Sequence, residues 1–182
     1  MKKLFIILLC PLLLCGCKQR PQEYLVTAIA ADYSGGLYTL YYEAVIINSE
    51  TSDQKREILT ASGRTLLEAV ESIEKQATLP LLMSHCGIVA VGKGISRTKL
   101  LGIMKYCKEN RDITLSVQFL RTDSPKQLLK TEPLSSISVG YDLVSLIRTQ
   151  KEDFKNRLFE IYKNPSPVLP KLNLTEKGYY FE

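Results

Sequence analysis

Cys86-Gly87-Ile88-Val89-Ala90-Val91 is a short, continuous apolar run between turn signals. A run of that length, apolar without alternation, suits a central strand covered on both faces. Gly92-Lys93-Gly94 then turns the chain toward Ser96, a residue type that caps helices. Leu100, Ile103, Met104 and Cys107 follow at helical spacing and mark an amphipathic helix. Glu109 to Asp112 is a polar turn, and Ile113 to Leu120 (ITLSVQFL) reads as the next strand.

Upstream of the central run, Thr65 and Glu68 have the spacing of a capping box. Leu66, Ala69, Val70, Ile73 and Ala77 predict a helix that ends before Pro80, with Glu71 and Lys75 as an outward i,i+4 pair. Gln54 to Ala61 is a more polar strand that belongs at an edge. Strand–helix–strand–helix–strand order from Gln54 to Leu120 predicts an α/β fold, α+β-like, with helices packed on a mixed β-sheet. Further back, Tyr24 to Ala31 and Leu37 to Asn48 flank the turn cluster Asp32-Tyr33-Ser34-Gly35-Gly36 and read as a β-hairpin. Ser49 to Asp53 connects the hairpin to the polar strand.

Downstream, Ser124-Pro125 opens a short helix reaching Leu129. Ser135 or Ser136 caps a longer one whose apolar face is Val139, Leu143, Leu146 and Ile147, and Lys151 to Arg157 continues it toward Tyr162. Asn164-Pro165-Ser166-Pro167, with Pro170 beyond, interrupts the pattern and is the best domain boundary. Val168 to Glu182 is a short β-rich C-terminal tail with a turn at Glu176-Lys177-Gly178. A lone hairpin is marginal in water, so it either pairs back on the body or begins a further domain.

The N-terminus reads as an export signal. Met1-Lys2-Lys3 is a positive n-region, and Leu4 to Leu14 is almost wholly apolar. About eleven apolar residues fall short of the roughly twenty needed to span a bilayer as a helix. Leu14-Cys15-Gly16-Cys17 has the form of a lipoprotein processing site, with Cys17 as the residue that receives a diacylglyceryl group. The alternative is an ordinary cleaved signal with a chance cysteine. Two acyl chains anchor a protein stably, whereas one gives marginal binding. The expected organisation is a signal peptide over 1–16, a membrane-proximal tether over 17–23 and a mixed α/β domain over 24–163. A Pro-rich linker and the start of a truncated second domain then occupy 164–182.

Removing 16 of the 182 residues leaves 166, enough for one well-packed domain. The net charge of +5 falls to about +3 without Lys2 and Lys3, too weak and too mixed with acids to argue for nucleic acid. Lys18 and Arg20 mildly favour an anionic membrane beside the anchor. Cys86 and Cys107 read as small core hydrophobes, with a disulfide as the alternative in an exported protein. His85 is the only histidine, and as a strand neighbour of Cys86 it would point to the opposite face, so no Cys–His dyad is expected. Neither zinc-ligand spacing, nor a phosphate loop at Gly92-Lys93-Gly94, nor a nucleophile elbow at Ser62-Gly63-Arg64 is formed. Tyr38, Tyr41 and Tyr42 could stack on a sugar or base, but filling a half-buried sheet is the favoured reading. The chain is therefore expected to have no catalytic, cofactor-binding or metal-binding residues.

The ordered features resemble one family closely. They are the lipoprotein site, Ile29-Ala30-Ala31-Asp32, the strand Tyr38 to Ile47, and Ser62-Gly63-Arg64-Thr65-Leu66-Leu67-Glu68-Ala69. They continue with His85 before Val89-Ala90-Val91-Gly92, Asn110-Arg111-Asp112-Ile113, Pro133-Leu134-Ser135-Ser136-Ile137-Ser138, and Pro165 to Pro170 leading to Tyr179-Tyr180-Phe181-Glu182. Together they resemble the Ger(x)C family, the lipoprotein C subunit of spore germinant receptors. The resemblance implies a non-enzymatic, lipid-anchored subunit on the outer leaflet of the spore inner membrane. There it would act with integral-membrane A and B subunits in nutrient-triggered germination. Family members continue into two further domains, and this chain stops about where the second begins. Lys18 stands where the family usually has tryptophan, and Cys86-Gly87 where it commonly has polar residues. A free-standing extracytoplasmic lipoprotein that binds a small solute is the competing expectation.

Overall fold

The computed structural model describes residues 22–47, 53–150, 155–164, 167–175 and 178–182. The signal at 1–16, Cys17, Lys151 to Phe154, Pro165-Ser166 and the Glu176-Lys177 turn lie outside the described residues.

Among the described residues, eight strands form one mixed sheet. Strand β1 (Tyr24–Ser34) and β2 (Leu37–Ile47) make the antiparallel hairpin, and β3 (Gln54–Gly63) pairs with β2 at the edge. Gly35 and Gly36 close the hairpin with φ of +58° and +81°, a pair of left-handed conformations open to glycine and matched to the twist of the strands. Helix α1 (Leu66–Gln76) then leads to β4 (Leu81–Leu82), a 3-10 turn (Met83–His85) and β5 (Ile88–Val91). Both β4 and β5 run parallel to β1 on its free side, so the turn between them interrupts a single lane of the sheet. Helix α2 (Arg97–Glu109) connects to β6 (Gln118–Thr122), parallel to β5. Helices α3 (Pro125–Lys130), α4 (Val139–Thr149) and α5 (Leu158–Ile161) precede β7 (Lys171–Thr175), parallel to β6, and β8 (Gly178–Phe181), antiparallel to β7.

Both faces of the sheet are covered. On one, Ala69, Val70 and Ile73 of α1 and Leu100, Ile103, Met104 and Cys107 of α2 pack with Ile29, Val89, Val91 and Phe119. On the other, Leu128 and Leu129 of α3 and Val139 and Leu143 of α4 pack with Ala28, Ala30, Ile88, Ala90 and Leu120. All four residues of β5 are buried, as a central strand between two helical layers requires. A bulge between Val26 and Ala28 inserts Thr27 into β1. It lets Val26 join the first core and Ala28 the second, although residues two apart on a regular strand share a face.

The structure departs from the sequence reading in four places. Cys86 is not in a strand: it closes the 3-10 turn, because the ladder to β1 starts at Ile88. Ile113 to Val117 is a run of turns, with β6 starting at Gln118, whose N–H reaches Gly87 O. The longer helix is capped by Ser138 rather than Ser135 or Ser136, and it ends at Thr149 with Gln150 as its cap. Glu68 completes the cap of α1 one residue early, accepting from Arg64 N, while Thr65 Oγ1 accepts from Glu68 N as predicted. For the C-terminal tail, expected either to pair back on the body or to begin a further domain, β7 and β8 join the same sheet beside β6.

Candidate interaction surface

Cys17, the expected lipid-attachment residue, lies outside the described residues; His85, the two core cysteines and the tyrosines of β2 each have a definite place. His85 is exposed, its Nδ1 3.2 Å from Tyr141 Oη, and Cys86 beside it is buried. Cys86 and Cys107 are both buried free thiols in one core. Burial pushes the Cys86 thiol up to about 12 and raises Cys107 as well, as apolar surroundings do to a thiol. Tyr42 is buried against the α1–α2 layer, whereas Tyr38 makes an edge contact with Tyr33 at 5.0 Å between centroids. Tyr38, Tyr41 and Tyr42 thus form no shared stacking face. No group of three or more His, Cys, Asp or Glu able to hold a metal occurs among the described residues.

The most concentrated polar chemistry was not legible as a motif. Glu43, wholly buried on β2, aims its carboxylate at the N-terminus of α4. Its Oε1 accepts from Val139 N at 2.8 Å and Arg56 Nε at 2.6 Å; its Oε2 accepts from Gly140 N and Thr27 Oγ1, both at 2.8 Å. Ser138 completes the cap, its Oγ accepting from Tyr141 N at 3.1 Å and its carbonyl from Asp142 N at 3.2 Å. Ser138 N donates to Ser136 Oγ at 3.2 Å, so the four N–H groups from Ser138 to Tyr141, which no helical carbonyl can satisfy, are all paired. Arg56 also donates to Leu129 O and to Thr131 O, so the node reaches the end of α3. Gly140 is required where the helix meets the bulge, since a Cβ there would lie 2.5 Å from Thr27 O. Asp142, one turn on, accepts from Leu134 N, from Ser135 N and Oγ, and from Tyr179 Oη at 2.9 Å. Burial alone would raise its carboxyl, but hydrogen bonds from the neighbouring serines, Tyr179 and Leu134 outweigh that and hold it below its ordinary value. The one available signal was a single acid inside the apolar strand Tyr41-Tyr42-Glu43-Ala44-Val45. Such a charge needs a partner if it faces the core.

The Glu43–Arg56–Asp142 chemistry is inward and fixes the helix. The outward feature is apolar. Leu115, Phe159 and Tyr162 are 51%, 47% and 38% exposed and line a groove of about 180 Å³ with Leu158, Lys108 and Lys163. Lys108 Nζ sits 4.0 Å above the Tyr162 ring, a cation–π contact. At the opposite, C-terminal ends of β6 and β7, a second cleft of about 180 Å³ is lined by Thr122, Asp123, Ser124 and Asn173 with Leu172 and Leu174.

A mixed sheet between two helical layers, with the buried carboxylates of Glu43 and Asp142 committed to internal hydrogen bonds and an apolar groove outside, defines a three-layer α/β module. Residues 22–174 match the family model described as the spore germination protein N-terminal domain. The chain belongs to that family, the Ger(x)C family of spore germination proteins, and has a role in germination. The family's association is with germination receptors of the spore membrane. No curated protein and no solved structure matches the chain. No helix among the described residues is long and apolar enough to cross a membrane.

Proposed function

We propose that the protein is a lipid-anchored, non-catalytic subunit of a spore germinant receptor. Cys17 carries the diacylglyceryl group on the outer leaflet of the spore inner membrane, and the α/β body meets the integral-membrane A and B subunits. The observation that carries this reading is the family match beginning at residue 22, five residues after a cysteine in a lipoprotein processing context. The second reading is a free-standing lipoprotein that binds a small solute; the two clefts described above, each about 180 Å³, are smaller than the roughly 300 Å³ typical of small-molecule sites.

Mass spectrometry of the N-terminal peptide from spore membranes tests the anchor, and affinity capture through a tag at the C-terminus tests the partners. The expected result is a diacylglyceryl thioether on Cys17 and recovery of both integral-membrane subunits. An unmodified Cys17 refutes the anchor. Quantitative release of the protein from membranes without either subunit refutes the receptor assignment.

A further inference from the structure

We propose that the groove of Leu115, Phe159 and Tyr162 seats the body on an anionic lipid bilayer. The inference rests on the acylation of Cys17 proposed above and adds a second, non-covalent contact.

The topology places the groove and the anchor at one edge of the sheet. Strands β1, β5 and β6 are parallel, so their N-terminal ends share an edge. Tyr24 opens β1 there. Helix α2 runs back between β5 and β6, returning its last turn, with Lys108, to the edge where β6 begins. Residues 156–158 descend antiparallel to β6, with Gln118 bridged to Arg157 and Leu158 N bonded to Val117 O. That carries α5, and with it Phe159 and Tyr162, past the start of β6 to the same edge. Phe159 N in turn bonds Leu115 O. From Cys17 to Tyr24 is seven residues, an extended reach of about 24 Å. Strands β1 and β6 are two lanes apart, about 10 Å. An acylated Cys17 therefore holds this edge, and the groove on it, within reach of the bilayer surface.

The groove's chemistry fits that occupant. Two aromatic rings and a leucine offer apolar surface, and tyrosine suits the headgroup level, with its ring apolar and its hydroxyl wet. Lys108 and Lys163 rim the groove, where cations gain from anionic headgroups and their aliphatic stems lie along apolar surface. The nearest acids in sequence, Glu109 and Glu160, are ion-paired with Lys105 and Arg157. Arg111 and Asp112 balance one another in the exposed turn before Leu115.

The chain has no tryptophan, so one introduced indole is a clean reporter. Phe159→Trp, with Tyr162→Trp as a second probe, is compared with Leu67→Trp. Leu67 is 61% exposed at the start of α1, at the opposite edge. The full chain, processed by its own cells, is reconstituted into phosphatidylcholine vesicles with or without phosphatidylglycerol, and with brominated acyl chains as quencher. The expected result is a shift of the Phe159→Trp emission to shorter wavelength and loss of its intensity in phosphatidylglycerol vesicles, with Leu67→Trp unchanged. Lys108→Glu with Lys163→Glu should abolish the quenching. Equal emission from both positions on vesicles that carry the protein overturns the proposal. So does shielding of Trp at 159 that grows with protein concentration in the absence of lipid, which would mark contact with a second copy. The mass of the N-terminal peptide in the same sample judges the anchor separately. Quenching at 159 with an unmodified Cys17 supports the groove and refutes the anchor; an acylated Cys17 without quenching does the reverse.

Discussion

Replacing Glu43 by alanine should be among the most damaging single changes in this chain. The carboxylate accepts four hydrogen bonds, two from helix N–H groups that have no other acceptor. Its removal leaves Arg56, 16% exposed at its side chain, without a counter-ion. Removing one partner of a buried ion pair costs about 3–5 kcal/mol. A buried donor left unsatisfied costs about 1–3 kcal/mol. These losses overlap, so the expected total is about 3–5 kcal/mol rather than their sum. For a domain of this size each kcal/mol lowers Tm by about 2–4 °C, giving a drop of about 10 °C. Urea unfolding followed by far-UV circular dichroism measures it. Two further variants separate the ion pair from the cap. Glu43→Leu fills the space that Glu43→Ala opens to water, so it should cost at least as much. Glu43→Leu with Arg56→Met removes both charges, a change that is often neutral for a simple buried pair. Here it should stay destabilised, because Val139 N and Gly140 N remain without acceptors. Recovery of wild-type stability by the double variant would refute the reasoning, as would a loss below about 1 kcal/mol for Glu43→Ala.

Gly140→Ala should destabilise despite the roughly 1 kcal/mol that alanine normally gains over glycine inside a helix, because the new Cβ meets Thr27 O; a raised urea midpoint would contradict the close approach. Asp142 is held below its ordinary value when folded, so its contribution is present above the unfolded value near 4 and is lost as pH falls through the folded one. The stability gap between wild type and Asp142→Asn should therefore be constant from pH 7 to about 5 and narrow below about 4; a gap that widens in acid would reverse the sign. Tyr179→Phe removes the 2.9 Å donor to Asp142 and should cost about 1 kcal/mol while raising the Asp142 titration midpoint, read by carboxyl NMR. Cys86 and Cys107 should react with a thiol reagent only as fast as the core opens, accelerating together with urea-induced unfolding; rapid labelling of the native protein would place a thiol at the surface.

The parts of the fold read correctly from sequence are those where one pattern had one physical solution. Ile88 to Val91, apolar throughout, had to lie in the middle of the sheet, and Gly35-Gly36 had to turn a hairpin. Gln54 to Gly63, with Lys55, Arg56 and Glu57 in its first half, is an edge strand, where exposed charge also discourages pairing with another chain. Where two solutions existed, distant contacts chose between them. ITLSVQFL is long enough for a strand from Ile113, but the strand begins only where β5 offers a ladder, at Gln118. Ser135, Ser136 and Ser138 are equally good caps in isolation; the carboxylate of Glu43, almost a hundred residues earlier in sequence, sits against Val139 and Gly140 and selects Ser138. The groove was invisible for the same reason. Leu115, Phe159 and Tyr162 belong to separate segments, and only the pairing of residues 156–158 with the start of β6 assembles them.

A buried ionic node is a poor source of stability when compared with well-packed hydrocarbon, so its presence beneath α4 calls for another physical reason. Position supplies one. The Thr27 bulge brings the carbonyl of β1 against the only residue of α4 without a Cβ. A slide of the helix by one residue would drive the Cβ of Val139 or Tyr141 into Thr27 O and strand two N–H groups over hydrocarbon. Leucines and alanines alone would tolerate that slide with a modest repacking cost. The carboxylate does not, because its four donors come from three different elements and fit only one placement. Asp142 then transmits the placement to the far edge, tying α4 to Tyr179 of β8. Helix α4 thus fixes strands from both ends of the sheet relative to one another. The node therefore acts on geometry more than on stability: it allows one placement of α4 across the sheet and disfavours its neighbours in register.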